Sequence, residues 1–366
     1  MNIRNLGFLL FVLGAGILTG LWFSGVWVGG CASTVMFEGT TTTSTSTTTH
    51  TTTSTSATTT TSSTTTTTTT TTTTVANWIQ QTPSAAFSAR EGHTSLAFNG
   101  KIWVITGGTD LIPYPNDVWY SANGANWVQA TADAAFIGRK HHASLLFDGK
   151  MWVIGGYTYT ATNENDVWSS TDGISWTLAT AEAGFSGRSG HAAVVFNNKM
   201  WVIAGSSFES GGFINRLNDV WSSTNGVSWT REVASASFSP RAAHSCVVYN
   251  DKIWVIGGFA GPNFLNDVWY SSNGATWNRA TDAAAFSGRG GHTSVVFDNK
   301  MWVIGGDAGH TPFENDSWYS TDGIEWTQEA YTGFAGRRYH SSAVTDKIWV
   351  IGGYSYGDNN DVWHSP

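Results

Sequence analysis

Short apolar runs separated by turn residues recur along most of the chain. In one copy, the apolar run 143–147 is followed by Asp148-Gly149 and then by a second apolar run, 151–154. Asp-Gly between two β-prone runs indicates a hairpin, because the favoured two-residue turn needs positive φ at both positions. A second Asp-Gly or Asn-Gly pair of the same kind follows five of the six Asn-Asp-x-Trp segments. Each copy is therefore predicted to form four short strands, with two tight turns at one end and longer connections at the other.

Tryptophans set the number of copies. The copies recur every 47 to 53 residues, as measured along the first set of tryptophans, and such a period indicates a repeat architecture. The first set is Trp103, Trp152, Trp201, Trp254, Trp302 and Trp349. The second is Trp119, Trp168, Trp221, Trp269, Trp318 and Trp363. The third, Trp127, Trp176, Trp229, Trp277 and Trp326, lacks a sixth member at the C-terminus, and Trp78 supplies it from the other end.

Six units of four strands, repeated radially, predict a β-propeller. We expect an all-β, six-bladed propeller of four-stranded antiparallel blades over residues 76–366. Residues 77–80 provide the outermost strand of the last blade. Pairing of the two termini in that blade closes the ring and removes exposed sheet edges.

The repeats resemble the kelch repeat. An apolar strand ends in a glycine doublet, as in Gly155-Gly156, Gly257-Gly258, Gly305-Gly306 and Gly352-Gly353, and a spaced aromatic residue and Trp follow. Two copies depart from the doublet, with Thr106-Gly107 and Ala204-Gly205. The resemblance, which includes the central domain of galactose oxidase, covers about residues 76–366 and implies the architecture only.

The N-terminal segment, residues 1–31, is predicted to be a signal peptide or a membrane anchor. Residues 5–30 carry no charge, are mostly apolar and follow Arg4. This stretch is long enough to span a bilayer as a helix, and it has the layout of a secretory signal. Residues 28–31 also resemble a lipoprotein cleavage box, which makes Cys31 a candidate for lipidation. All three alternatives place the remainder outside the cell or on its surface.

Residues 32–75 are predicted to be a disordered stalk. Positions 40–74 are Thr and Ser apart from His50 and Ala57. With no apolar side chains to bury, such a segment cannot offset the entropy cost of ordering.

Charge and cysteine content exclude some functions. The formal net charge of −8 argues against a nucleic-acid partner. Cys246 is the one cysteine of the repeat region, so we expect no disulfide there and interpret it as a small buried hydrophobe. No cofactor is expected. A closed monomeric ring is the default expectation for the oligomeric state.

Every copy opens with an Arg and a His three residues later. The arginines are Arg90, Arg139, Arg188, Arg241, Arg289 and Arg337. The histidines are His93, His142, His191, His244, His292 and His340. We favour a structural role between blades, and an anion-binding ring of arginines is the alternative. A ring of histidines that wide is a poor zinc site, so no metal is expected.

Binding is expected where the repeats differ, in the loops between the second and third strands. Variable loops on a rigid scaffold commonly carry binding residues, and aromatic side chains suit sugar rings or peptides. The candidates are Tyr114, Tyr157, Tyr159, Phe208, Phe213, Phe259, Phe264, His310, Phe313, Tyr354 and Tyr356.

These observations predict an exported, surface-tethered propeller that binds a glycan or a protein and contacts the membrane through its N-terminal segment. A carbohydrate-active enzyme is the alternative, because kelch-like propellers include a sialic-acid epimerase and galactose oxidase. No residue has a spacing that marks it as catalytic. An oxidase would also need a Cys–Tyr crosslink, for which only Cys246 is available. A structural role in an envelope layer is a third possibility.

Overall fold

The computed structural model describes residues 78–109, 112–208, 214–329 and 332–366. These residues belong to one compact unit assigned to Thr70–Pro366, and all of their regular elements are β-strands. Residues 1–31 with Cys31, the stalk at 32–75 and Phe213 lie outside the described residues, so their assignments stay predictions. Within the described ranges no helix is long and apolar enough to cross a membrane.

The strands form six sheets, one per blade, numbered here in chain order. Strand β1 spans Ile79–Thr82. Blade 1 contains β2 (Thr94–Phe98), β3 (Lys101–Ile105), β4 (Val118–Ser121) and β5 (Val128–Thr131). Blade 2 contains β6 (Arg139–Lys140), β7 (Ala143–Phe147), β8 (Lys150–Thr158), β9 (Asn163–Ser170) and β10 (Thr177–Thr180). Blade 3 contains β11 (Ala192–Phe196), β12 (Lys199–Phe208), β13 (Ile214–Ser223) and β14 (Thr230–Val233).

The remaining blades repeat this order. Blade 4 contains β15 (Ser245–Tyr249), β16 (Lys252–Ala260), β17 (Asn263–Ser271) and β18 (Asn278–Thr281). Blade 5 contains β19 (Thr293–Phe297), β20 (Lys300–Gly306), β21 (Glu314–Ser320) and β22 (Thr327–Gln328). Blade 6 contains β23 (Ser341–Val344), β24 (Ile348–Tyr354) and β25 (Asp358–His364), and β1 completes it.

The predicted closure of the ring is confirmed. Strand β1 pairs antiparallel with β25, with Ile79 opposite His364 and Gln80 opposite Trp363. Trp78, just before β1, is 5% exposed and packs edge-on against Phe334 with ring centroids 5.5 Å apart. Strand β1 therefore serves as the outermost strand of the last blade.

The hydrophobic core lies between blades rather than in one central mass. Each blade buries both of its faces. Successive side chains along most of a second strand are therefore buried, and these strands are continuous apolar runs in the sequence. In β8, Met151 and Val153 pack with Trp103 of blade 1, whereas Trp152 and Ile154 pack with Met200 of blade 3. Six clusters of this kind surround the axis.

The two turns of a blade differ from each other, contrary to the expectation that they are alike. At the first turn of blade 2, Asp148 and Gly149 both have positive φ (50° and 66°), as predicted. At the second turn, only Gly173 has positive φ, at 73°. There the Asp172 carboxylate accepts hydrogen bonds from the backbone N–H groups of Ile174 and Ser175, both at 2.8 Å. Asp or Asn is needed there for its side-chain acceptor rather than for its tolerance of positive φ.

A candidate binding site at the channel mouth

The six repeated arginines are buried and paired with aspartates of the same blade. Arg139 is 0% exposed and donates to both carboxylate oxygens of Asp166, at 2.5 and 2.9 Å. It also donates to the carbonyl of Gly155 at 2.9 Å and to that of Ile137 at 3.0 Å. The equivalent pairs are Arg90–Asp117, Arg188–Asp219, Arg241–Asp267, Arg289–Asp316 and Arg337–Asp361.

This arrangement contradicts the anion-binding alternative for Arg90, Arg139, Arg188, Arg241, Arg289 and Arg337. Their side chains are at most 1% exposed, and each already holds a carboxylate in the bidentate geometry that an anionic ligand would take. Burial alone would raise the pKa of Asp219, but the hydrogen bond and charge of Arg188 lower it below its ordinary value. Arg289 lowers the pKa of Asp316 in the same way. The arginines therefore connect the strands of a blade.

The repeated histidines explain the glycine doublets. A Cβ on Gly353 would lie 2.6 Å from the Cβ of His340 in the same blade. The second glycine of every doublet also has φ between 94° and 126°, which only glycine adopts without strain. The first position has φ near 50°, and there Thr106 (45°) and Ala204 (54°) replace glycine. The single-glycine copies thus keep the one glycine that the backbone requires.

The same histidines are held neutral. His93, His191 and His292 are 4 to 6% exposed. Burial, together with the charge of the neighbouring arginine, lowers the pKa of each to about 3. Neutral, enclosed imidazoles of this kind are suited to packing rather than to proton transfer.

Acidification is expected to destabilise the propeller through these histidines. Their folded pKa is about 3, so between pH 6.5 and 3 the unfolded chain binds more protons and stability falls with pH. Each histidine contributes up to about 1.4 kcal/mol per pH unit in this window. Urea unfolding at pH 7 and pH 5 measures the loss of stability. His93→Gln should make the free energy of unfolding less dependent on pH, by the contribution of one histidine. Equal stability at both pH values would contradict the expectation.

A closed belt of backbone hydrogen bonds encircles the axis just before the histidines. It consists of one residue per blade, the residue preceding each repeated histidine: Gly92, His141, Gly190, Ala243, Gly291 and Tyr339. The N–H of each donates to the carbonyl of the belt residue in the preceding blade, at 2.7 to 2.8 Å, and Gly92 completes the circle by donating to Tyr339. All six have φ between 53° and 65°. Glycine suits this conformation, so His141, Ala243 and Tyr339 hold it at a cost of about 1–2 kcal/mol each.

The belt lines a cavity of about 310 Å³ at the mouth of the central channel. The cavity also contacts the repeated histidines and side chains of blades 3 and 4, among them Arg216 and Phe259. The two large belt side chains, His141 and Tyr339, meet above Gly92 with ring centroids 4.4 Å apart. A Cβ on Gly92 would lie 2.7 Å from Nδ1 of His141, so glycine there makes room for this contact.

One sector of the mouth, over blades 1, 2, 5 and 6, carries paired charges. Lys140 donates to Glu91 at 2.7 Å, and Arg338 donates to Asp307 at 2.6 Å. Burial would raise the pKa of Glu91, but the hydrogen bond and the charge of Lys140, with the charge of Arg338, lower it. Burial lowers the pKa of His141 to about 4, so His141 is neutral at pH 7. This sector is therefore polar but electrically balanced.

Aromatic rings flank two arginines close to the cavity, Arg338 beside the belt residue Tyr339 and Arg216 in the cavity wall. The guanidinium of Arg338 lies 4.8 Å from the ring of Phe313 and 5.3 Å from that of Tyr354. Over blades 3 and 4, Arg216 lies 4.5 Å from the ring of Phe259, which packs against Phe264 at 5.1 Å. These are the distances of cation–π contacts.

The structure brings together some of the residues predicted for binding and separates others. Phe259 lines the cavity and packs against Phe264. Phe313 and Tyr354 flank Arg338, and Tyr157 packs against Phe208 with ring centroids 5.7 Å apart. Tyr114 lies 5.4 Å from the Lys140 ammonium. Tyr356 stacks on Phe313 at 5.8 Å and is 67% exposed. Tyr159 lines a separate groove with Tyr114 and Asp133. Nε2 of His310 lies 3.4 Å from Oε1 of Glu314.

Lys140, His141, Arg338 and Tyr339 were not among the predicted binding residues, although all four contribute to the mouth. A signal for them exists in the sequence. The two positions between each repeated Arg and His differ from copy to copy, from Glu91-Gly92 to Arg338-Tyr339. Variation inside an otherwise constant motif marks side chains that the fold does not require.

Two features that the enzyme alternatives would use, a metal cluster and a Cys–Tyr pair, can be compared with the described residues. These residues include no group of three or more His, Cys, Asp or Glu side chains placed to hold a metal ion. Burial raises the pKa of the Cys246 thiol far above its usual range. Cys246 packs against the apolar cluster between blades 3 and 4, in which the aromatic residues are Phe and Trp. This environment does not offer the neighbouring tyrosine that a crosslink would need.

Comparison with known proteins identifies the family. The family model described as the KLHDC2/KLHL20/DRC7 Kelch-repeats domain matches residues 92–280 and 221–365. The chain therefore belongs to the kelch-repeat family of β-propellers. The solved structure of YjhT is similar in fold, with a TM-score of 0.61 at 17% sequence identity over 78% of this chain and 95% of that one. No curated protein sequence matches the chain significantly.

Proposed function

We propose that this protein is an exported, surface-tethered binding module that holds a glycan or protein partner at the mouth of its central channel. The observation that carries the proposal is the pair of strained belt residues, His141 and Tyr339, at φ of 55° and 53°. Glycine would build the same belt without strain. Residues kept in a costly backbone conformation cluster at functional sites, and here they place two large side chains at the opening of a cavity.

The shape of the mouth supports binding of one residue or one sugar unit. A cavity of about 310 Å³ is at the small end of the range for ligand pockets. Its walls combine aromatic faces with a few polar groups, which is the usual composition of such pockets. Export and tethering rest on the uncharged apolar segment 5–30 and the Thr/Ser stretch that follows it.

The binding proposal is tested by screening the purified protein against glycan and peptide arrays, followed by affinity measurements on the hits. Tyr354→Ala removes an aromatic ring beside Arg338 and Phe313, next to the belt residue Tyr339, and we expect it to weaken binding at least tenfold. Ile174→Ser is the control, because Ile174 is 55% exposed on a turn at the opposite end of blade 2. Equal losses in both variants, or turnover of a bound sugar by the wild type, would overturn the proposal.

A further inference from the structure

The charged residues of the propeller are distributed unequally between its two ends. We call the end that carries the channel mouth the loop face; it is formed by the connections between second and third strands and between successive blades, together with the strand residues that adjoin these connections. Described acidic residues on it, outside the six buried pairs, are Glu91, Asp133, Glu164, Glu182, Asp282, Asp307, Glu314, Glu329 and Asp358. Its basic residues are Lys140, Arg216 and Arg338. The described loop face thus has an excess of six negative charges.

The rest of the propeller is balanced. The opposite end and the outer strands carry Asp148, Asp172, Glu232, Asp251, Asp298, Asp322, Glu325 and Asp346. They also carry Lys101, Lys150, Lys199, Arg231, Lys252, Arg279, Lys300 and Lys347. The two sets are equal in number, so the negative charge of the propeller is concentrated on the end that carries the candidate site.

On the loop face, the basic residues and the unpaired acids occupy different places. Lys140 and Arg338 lie at the belt and are paired with Glu91 and Asp307. Asp133, Glu182, Asp282 and Glu329 follow the outermost strands and therefore lie further from the axis. These four carboxylates, called here the acidic rim, have no Lys or Arg partner within the described ranges.

Exposed aromatic residues lie among these charges. Tyr356 is 67% exposed, Phe208 is 45% exposed and Tyr159 is 42% exposed, all on the loop face. Ring faces attract ammonium and guanidinium groups, and the same surface already holds its own cations in this way, as Lys140 beside Tyr114 shows. A surface with excess carboxylates and open ring faces is complementary to Lys and Arg side chains.

We propose that the loop face binds a basic polypeptide segment, one rich in Lys and Arg, whose flanking charges are held by the acidic rim while one of its residues enters the mouth. This inference rests on the proposed function and specifies the chemistry of the partner. Long-range attraction between the rim and such a segment speeds its approach and orients it over the channel.

The experiment measures binding of a fluorescent octalysine peptide to the purified full-length protein by anisotropy. A rim variant combines Asp133→Asn, Glu182→Gln, Asp282→Asn and Glu329→Gln. A matched control combines Asp148→Asn, Asp251→Asn, Asp298→Asn and Glu325→Gln, which removes the same four charges from the opposite end. Asn tolerates the positive φ of Asp148, Asp251 and Asp298, so the control should fold normally. An octaglutamate peptide is the control for binding that does not depend on the sign of the peptide's charge.

We expect the rim variant to bind octalysine at least tenfold more weakly than the wild type and the control to bind within twofold of it. Binding should also weaken as the salt concentration rises from about 50 to about 500 mM, because salt shortens the range of the attraction. Equal weakening in the two variants, or no octalysine binding by the wild type, overturns the inference. A partner that is lost in Tyr354→Ala but unaffected in the rim variant would leave the proposed function standing and remove this inference alone.

Discussion

Deletion of residues 76–82 is expected to abolish the single cooperative unfolding transition of the propeller. The deletion removes β1 and Trp78, leaves blade 6 with three strands and exposes both the edge of β25 and the ring of Phe334. The blades are held mainly by contacts with their neighbours, so a damaged blade loses support on both sides. Thermal unfolding followed by tryptophan fluorescence and by circular dichroism should give transitions that no longer coincide.

A single substitution separates the effect of the strand from that of shortening the chain. Trp78→Ala should cost about 3–5 kcal/mol of the free energy of unfolding, because it empties a buried aromatic site. Ile79→Ser is the control on the same strand, since Ile79 is 49% exposed, and it should cost less than about 1 kcal/mol. A truncated protein that melts like the wild type would show that the termini do not close the ring.

Replacing one aspartate of a buried pair is expected to produce the second large effect. Asp166→Asn keeps the shape of the side chain but leaves Arg139 charged, 0% exposed and without a carboxylate. Loss of one partner from a buried ion pair costs about 3–5 kcal/mol. Urea unfolding at pH 7 measures the change in the free energy of unfolding.

Asp298→Asn is the matched control for this prediction. Asp298 lies 3.5 Å from Lys300 with 73% of its side chain exposed, and exposed pairs of this kind contribute less than about 1 kcal/mol. A loss at Asp166 no larger than that at Asp298 would mean that the arginines are not stabilised by their aspartates. Asp219, Asp267, Asp316 and Asp361 occupy equivalent positions, so the result should transfer between blades.

The fold could be predicted from the sequence because its determinants are side chains that recur at a fixed spacing. The unmatched Trp78 was sufficient to predict closure of blade 6 by β1, which the structure confirms. The pairing of the arginines was not predicted. Each aspartate follows its arginine by 24 to 31 residues, and only the folded blade brings the end of a connection next to the third strand.

The channel mouth was predicted less completely, for two physical reasons. The belt is made of peptide groups, so no residue type identifies it, and His141 and Tyr339 stood in the sequence without a visible role. The position of the negative charge could not be read from its total. A net charge of −8 is the same number whether it is spread evenly or gathered at one end, and the strand order decides which.

The belt also separates the integrity of the ring from the chemistry of its opening. Peptide N–H and carbonyl groups join each blade to the next, and side chains take no part in those six bonds. Exchange of one side chain for another at His141, Ala243 or Tyr339, which already have positive φ, should consequently leave these six bonds in place. If the channel mouth binds a partner as proposed, its side chains can therefore differ between related propellers while the hydrogen-bonded ring stays the same.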